Sequence, residues 1–218
     1  MKQLSILLYS LFVLGSSLGA TQPKLVQSSE YKITSNIHLV NEIPYKKESY
    51  LALIEIPAGS THKWEVNHIS GNLEWEFKNA KPRKVNFLGY PGNYGFIPQT
   101  ILDKEDGGDG DPLDIIVLSD AQKRGTVQEV KVIGSINLLD SGEQDDKIIA
   151  IPLEASFKNI NSISDMMLHY PGSIQIIRLW FEGYKGAKIH FVGYSDAKVA
   201  KSIIEKAHKT WQKKIHKK

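Results

Sequence analysis

A chain of 218 residues, 41% hydrophobic and 23% charged, holds enough apolar material for one sizeable core, which excludes a disordered or fibrous polymer. It contains no cysteine, which excludes disulfides, a cysteine nucleophile and a lipidated cysteine anchor. The formal charge of +3 is unevenly placed: residues 198–218 carry eight lysines and one glutamate, +7, so everything before them sums to −4. The basic tail reads as a solvated helix face, and no nucleic-acid partner is expected.

Residues 1–20 begin with Met1-Lys2, continue in an apolar run over 4–14 and end in small residues over 15–20, the pattern of a secretory signal peptide. The run is too short to span a membrane comfortably, so removal near Ala20 is expected and no membrane attachment after it. With the absence of cysteine, this predicts export to a bacterial periplasm or the exterior. Residues 21–49 are polar and irregular and read as an N-terminal extension, a linker approaching a domain that occupies 50–218.

From Leu51 the run Leu-Ala-Leu-Ile-Glu-Ile-Pro predicts a strand with Glu55 on the face of Leu51 and Leu53. That acid either points at water from a barrel end or serves a site. His62-Lys63-Trp64-Glu65-Val66 and Asn72-Leu73-Glu74-Trp75-Glu76-Phe77 both alternate, and Ser70-Gly71-Asn72 between them predicts a hairpin with one polar face. After Lys81-Pro82-Arg83-Lys84 comes a segment rich in turn formers and tyrosines, Tyr90-Pro91-Gly92-Asn93-Tyr94-Gly95. Tyrosines usually pack with a wet tip, and these hydroxyls are also placed to meet an anion.

The stretch Asp106-Gly107-Gly108-Asp109-Gly110-Asp111-Pro112-Leu113-Asp114 then opens onto Ile115-Ile116-Val117-Leu118. Glycines and Pro112 bend the backbone so that several carboxylates can face one point, and hard oxygen ligands suit Mg²⁺, Mn²⁺ or Ca²⁺. A solvated acidic loop is the other reading. Residues 126–139 predict two short strands around Gly134. A second acidic turn, with Asp140, Asp145, Asp146 and Lys147, precedes the apolar run 148–151, which would let two acidic loops converge at one barrel mouth.

Farther on, 174–181 reads as a helix stopping at Gly183, with Tyr184-Lys185 just past the stop, and 189–194 as a last strand. Ser195 is the expected cap of a C-terminal amphipathic helix whose core stripe is Val199, Ile203, Ala207, Trp211 and Ile215. Many short strands followed by helices predict an α+β fold around a small antiparallel barrel.

There is no GxxxxGK[ST] phosphate loop, no HExxH pair and no EF-hand pattern, and the GxSxG match at 15–19 falls in the signal segment. The seven histidines lack HxH or HxxxH spacing. What remains is a set of acids (Glu55, Asp109, Asp111, Asp114, Asp140, Asp145) together with cations and phenols (Lys63, Arg83, Lys147, Lys185, Tyr94, Tyr184). Metals on one side of a polyanion and basic groups on the other is the arrangement phosphoryl transfer needs.

Asp109-Gly110-Asp111-Pro112-Leu113-Asp114-Ile115 resembles the signature Asp-x-Asp-Pro-x-Asp of the barrel-type (family I) soluble inorganic pyrophosphatases. It is accompanied in order by Ile54-Glu55-Ile56-Pro57, Lys63-Trp64-Glu65, Arg83, Tyr90-Pro91-Gly92-Asn93-Tyr94-Gly95, Asp140, Asp145, Lys147 and Tyr184-Lys185, covering residues 50–194. The resemblance implies an OB-like five-stranded β-barrel with flanking helices that hydrolyses pyrophosphate with several Mg²⁺ ions, Mn²⁺ being an alternative, as a homo-oligomer. It implies metal ligation by Asp109, Asp114, Asp140 and Asp145. It implies Asp111 as base towards the attacking water, with Glu55 acting through water and Tyr94 beside them. Lys63, Arg83, Lys147, Tyr184 and Lys185 would bind phosphate oxygens. Two departures are visible: Ser141 stands where an acid is common, and the segment 77–87 is longer than in typical bacterial members. A hydrolase of polyphosphate or nucleoside polyphosphates, or a noncatalytic OB-type binding module, are the other readings.

Overall fold

The computed structural model describes residues 22–153, 157 and 159–216, so the expected signal peptide lies outside the described residues. In chain order the strands are β1 (Leu25–Ser29), β2 (Lys32–Ser35), β3 (Tyr50–Ile56), β4 (Trp64–Val66), β5 (Leu73–Trp75), β6 (Phe77–Lys78), β7 (Lys81–Pro82), β8 (Asn93–Phe96), β9 (Asp114–Val117), β10 (Val127–Asp140), β11 (Glu143–Gln144), β12 (Lys147–Pro152) and β13 (Ile189–Asp196). The helices are α1 (Ile163–His169), α2 (Ser173–Lys185) and α3 (Ala197–Ile215).

Five strands pair in a ring, β3 with β8, β8 with β9, β9 with β12, β12 with β10, and β10 back to β3. This is the expected OB-like barrel in an α+β fold. Only β9 and β12 run parallel. Both faces of these strands are covered, which is why β9 and β12 read as unbroken Ile/Val runs rather than alternating ones. Ile115, Val117, Ile148 and Ala150 face the side where Ala200, Ile204 and Ala207 of α3 pack. Ile116, Ile149 and Ile151 face the side closed by Met166 of α1 and by Ile174, Ile177, Trp180 and Phe181 of α2.

Several sequence expectations change here. The irregular linker over 21–49 instead contributes β1 and β2 to a four-stranded sheet with β5 and β4, and it buries Leu39, Val40 and Ile43 against Leu51 and Leu53. The two short strands around Gly134 are one 14-residue strand, β10. Gly134 marks a register shift against β12, and a Cβ there would lie 2.4 Å from the Ser195 carbonyl oxygen, so the glycine permits close approach and is not a break.

Helix α2 does not stop at Gly183; it ends at Lys185 with Gly186 as its cap. A Cβ on Gly183 would meet the Phe87 ring at 2.9 Å, which is the reason for a glycine inside the helix. Asp196, one residue later than expected, caps α3 by accepting the Val199 N–H, while the Ser195 hydroxyl donates to Asn137 Oδ1. The buried stripe of α3 is Ala200, Ile204 and Ala207; Val199 and Ile215 of the expected stripe are exposed. No helix among the described residues is long and apolar enough to cross a membrane.

Candidate functional site

One cavity of about 220 Å³ opens at a barrel mouth, and all twelve residues singled out from the sequence line it. Each arrives by a local device. In β3 the ladder to β8 shifts register between Ile54 and Ile56, which leaves Glu55 as the extra residue of a bulge. Bulges re-aim side chains beside active sites, and this one sends the Glu55 carboxyl into the cavity wall, where it accepts the Val66 N–H at 2.7 Å. Opposite the bulge, a Cβ on Gly95 would sit 1.8 Å from the Leu53 carbonyl oxygen, so only glycine lets β8 pass. Glu55 is 6% exposed, and burial pushes its carboxyl up to about 8 against the pull of Lys63.

The first acidic loop is closed by Gly110 in the left-handed region, φ +91°, and by Asp109 Oδ1 accepting the Asp111 N–H at 2.8 Å. The second is a two-residue hairpin between β10 and β11, with Ser141 at φ +55° and Gly142 at φ +95°, the left-handed pair that matches strand twist. Ser141, the departure from the family pattern, donates its hydroxyl to Asp140 Oδ1 at 3.1 Å. The two loops meet, as expected: the Gln144 N–H donates to the Gly107 carbonyl at 3.1 Å. They thereby bring Asp109, Asp111, Asp114, Asp140 and Asp145 to one wall.

Lys147 lies beneath that wall with its side chain 4% exposed. Its ammonium pairs with Asp114 and, at 2.5 Å, with Asp145 Oδ1, and it sits 5.8 Å from the Tyr94 and Phe181 ring centres. Burial alone would lower this lysine, but Asp114 and Asp145 hold it above its ordinary value. Lys63 is likewise opposed by burial yet raised by Tyr90, Glu65 and Glu55, and it pairs with Glu65 at 2.6 Å. Lys185 pairs with Asp140 and keeps that carboxyl low despite its desolvation. Arg83 grips Glu76 with contacts of 2.6 and 2.7 Å. Tyr184, in the last turn of α2 rather than beyond it, is stacked on Trp180 at 4.8 Å, and the Trp180 indole N–H donates to the Leu88 carbonyl at 3.0 Å. Tyr94 is buried beside Asp114, and loss of solvent pushes its hydroxyl well above its ordinary value.

Asp111 stands apart from the other carboxylates. Its side chain is 64% exposed to the open mouth, with His68 Nε2 at 3.5 Å. Desolvation by the cavity wall raises it, His68 opposes, and Glu65 and Asp114 add to the rise. A carboxylate moved upward at an open mouth is suited to take a proton from water.

Sequence reasoning gave no role to Glu65, His68, Tyr90 and Glu143, which also line the cavity. Glu65 was visible in principle, because the alternation of β4 puts it on the face of Lys63. His68 carries no such spacing signal.

The donor chemistry fits a hard divalent cation: five aspartates and three glutamates crowd one cavity, and Asp109 is raised by desolvation and by its carboxylate neighbours Asp111 and Asp114. Among the described residues no three carboxylates or imidazoles stand close enough to grip one ion as they are, since the Lys147 ammonium occupies the space between Asp114 and Asp145.

A family model described as inorganic pyrophosphatase matches residues 52–212. Inorganic pyrophosphatase from Halalkalibacterium halodurans is 35% identical over 156 residues, 71% of this chain and 90% of that one. The Helicobacter pylori (strain ATCC 700392 / 26695) protein of the same name is 31% identical over 181 residues, 78% of this chain and 96% of the relative. A solved H. pylori inorganic pyrophosphatase superposes with a TM-score of 0.67 at 30% identity, covering 78% of this chain and 98% of that one. Type I inorganic pyrophosphatase from Toxoplasma gondii, at 24% identity, shares the fold with a TM-score of 0.81 over 88% of this chain and 98% of that one.

Proposed function

The chain belongs to the inorganic pyrophosphatase family and is a hydrolase of inorganic pyrophosphate; from that premise we propose an exported, Mg²⁺-dependent enzyme whose twelve cavity residues divide the work. Asp109, Asp114, Asp140 and Asp145 would hold the divalent ions. Bound there, the ions supply positive charge to the pyrophosphate and acidify the attacking water.

The chain's own groups do the rest. Asp111, open at the mouth and raised by its surroundings, takes a proton from the water. Glu55, fixed by the Val66 N–H, orders water on the opposite wall. Arg83, Tyr184 and Lys185 hold the phosphate that leaves, while Lys63 and Lys147 balance charge on the phosphate under attack. The Tyr94 hydroxyl stays protonated through the neutral range, because burial keeps it far above its ordinary value, and so it remains a donor beside Asp114. Pre-set donors and charges of this kind need no reorganisation as charge develops.

The observation that carries the reading is the common cavity with acids on one wall and buried, ion-paired lysines beside it. Asp111→Asn tests it: phosphate release should fall on the order of 10²- to 10⁴-fold while the urea midpoint stays unchanged. Turnover near the parent rate would refute the assignment.

Export is supported by Met1-Lys2, the apolar run over 4–14 and the small residues before Thr21. N-terminal sequencing of the protein from a bacterial host should find a start near Thr21 in the exported fraction; an intact Met1 in the cytosol would contradict it. Homo-oligomerisation belongs to the same proposal, with Ile176, Leu179 and Leu88 exposed as apolar surface to cover.

A further inference from the structure

The catalytic cavity does not end at its basic side. Arg83, Asp140, Tyr184 and Lys185 form a wall shared with a second, more open groove of about 410 Å³. The remaining charge on that groove comes from Lys78, Lys84 and Lys188. The two spaces have opposite character. The cavity lining holds eight carboxylates against four lysines and arginines, whereas the groove lining holds five cations against one carboxylate.

Pairing differs as well. Lys63, Arg83, Lys147 and Lys185 are each tied to a carboxylate. Lys78, Lys84 and Lys188 form no salt bridge among the described residues; Lys84 only lies over the Trp75 ring, 6.0 Å from its centre. Their backbones are nonetheless anchored. Lys78 sits in the β6–β7 hairpin, Lys84 bridges to His62, and the Lys188 carbonyl accepts the Ser141 N–H at 2.8 Å. This hairpin lies within the segment 77–87. Three ammoniums that pair with no carboxylate among the described residues, held around one groove, are like charges awaiting an anion.

We propose that this groove is a subsite for the third and later phosphates of a linear inorganic polyphosphate, so that the enzyme hydrolyses tripolyphosphate as well as pyrophosphate. The inference rests on the pyrophosphatase reading and extends its substrate class. Two phosphates are served by the acidic cavity and its divalent ions. A third phosphate that reaches past Arg83 and Lys185 leaves the carboxylates behind and needs side-chain cations, which is what the groove supplies. Its lining offers no exposed aromatic or apolar face beyond Tyr184 on which a nucleoside base could stack, so it suits an inorganic chain better than a nucleotide.

The bond changes follow from the layout. The water oxygen bonds to the terminal phosphorus beside Asp111, which accepts one of the water's protons; the other stays on the new orthophosphate. The P–O bond of the bridging anhydride breaks, and its electron pair departs on the pyrophosphate leaving group, held by Arg83, Tyr184, Lys185 and the groove lysines.

The test uses the full chain with Mg²⁺ and follows depletion of pyrophosphate, tripolyphosphate and ATP separately by ³¹P NMR. Three proteins are compared: the parent, the triple variant Lys78→Ala, Lys84→Ala, Lys188→Ala, and a charge-matched control, Lys198→Ala, Lys201→Ala, Lys209→Ala, altered on the exposed face of α3. The parent should consume tripolyphosphate. The groove variant should lose about tenfold in kcat/KM on tripolyphosphate, as three exposed charge contacts imply, and stay within about twofold on pyrophosphate. The control should match the parent on both. The proposal is overturned if the parent cleaves pyrophosphate but not tripolyphosphate, if the groove variant loses both substrates equally, or if the control reproduces the loss. ATP consumed with the same dependence on the groove lysines would overturn the inorganic specificity. A parent protein inert towards pyrophosphate itself would instead sink the underlying function.

Discussion

Lys147→Met removes the charge beneath the acidic wall and keeps an unbranched side chain of similar length. In the parent, Asp114 and Asp145 contact one ammonium, the second at 2.5 Å, so their nearest oxygens stand within ~5 Å of each other. At an effective dielectric of about 20, two unit charges at that separation repel by about 3 kcal/mol. Removing one member of a buried ion pair has a measured cost of the same order, about 3–5 kcal/mol. The variant should therefore lose about 3 kcal/mol of unfolding free energy in urea titrations run with EDTA. Added Mg²⁺ offers those carboxylates another cation, and it should restore more stability to the variant than it adds to the parent. Phosphate release should stay at least about 10²-fold low even with Mg²⁺, because a charge near the transferring phosphate is gone. Equal stability of variant and parent in EDTA would show that the Asp114–Lys147–Asp145 cluster is not holding the wall together, and the reasoning would fail.

Gly95→Ala puts a methyl 1.8 Å from the Leu53 carbonyl oxygen at the Glu55 bulge; a loss of about 3 kcal/mol or more should appear as a lowered thermal midpoint, and an unshifted midpoint would contradict the close β3–β8 approach. Asp196→Ala should cost about 1 kcal/mol and speed hydrogen exchange of the Val199 amide, whereas Ser195→Ala should leave that amide protected, since the Ser195 hydroxyl serves Asn137. For Glu129, the Ser49 hydroxyl and then Lys46, at 2.9 Å, hold the carboxyl below its ordinary value of 4.5. A lowered carboxyl stabilises the fold above the unfolded value, and that contribution is lost as pH falls through the folded one. Glu129→Gln should thus cost about 0.5 kcal/mol at neutral pH, with the difference from the parent closing below pH ~4; a difference that persists in acid would point to packing instead of charge.

The site was more legible in the sequence than the fold that carries it. Carboxylates beside apolar runs, and Lys63 and Glu65 on one face of an alternating strand, are short-range patterns that survive without coordinates. What the pattern missed depends on contacts far along the chain. Gly183 looks like a helix stop until Phe87, from another segment, is found against it. Gly134 looks like a strand break until Ser195 is found at its back. The segment 22–49 is polar because its strands face solvent on one side, yet Leu39, Val40 and Ile43 bury themselves against β3, and no local periodicity announces that. On α3, Val199 and Ile215 share the spacing of the expected stripe, but the helix turns Ala200, Ile204 and Ala207 to the barrel, where the two alanines leave room for its approach. His68 entered the site by the path of a hairpin loop, which spacing does not encode.

The central claim is that this chain cleaves pyrophosphate with divalent metal held by its acidic wall. The most direct measurement is orthophosphate release from pyrophosphate by the purified chain, with Mg²⁺ and then with excess EDTA. Two orthophosphates per pyrophosphate consumed are expected with Mg²⁺, with activity abolished by EDTA and restored by fresh Mg²⁺. Pyrophosphate left intact in the presence of Mg²⁺, or cleaved equally well in EDTA, would contradict it.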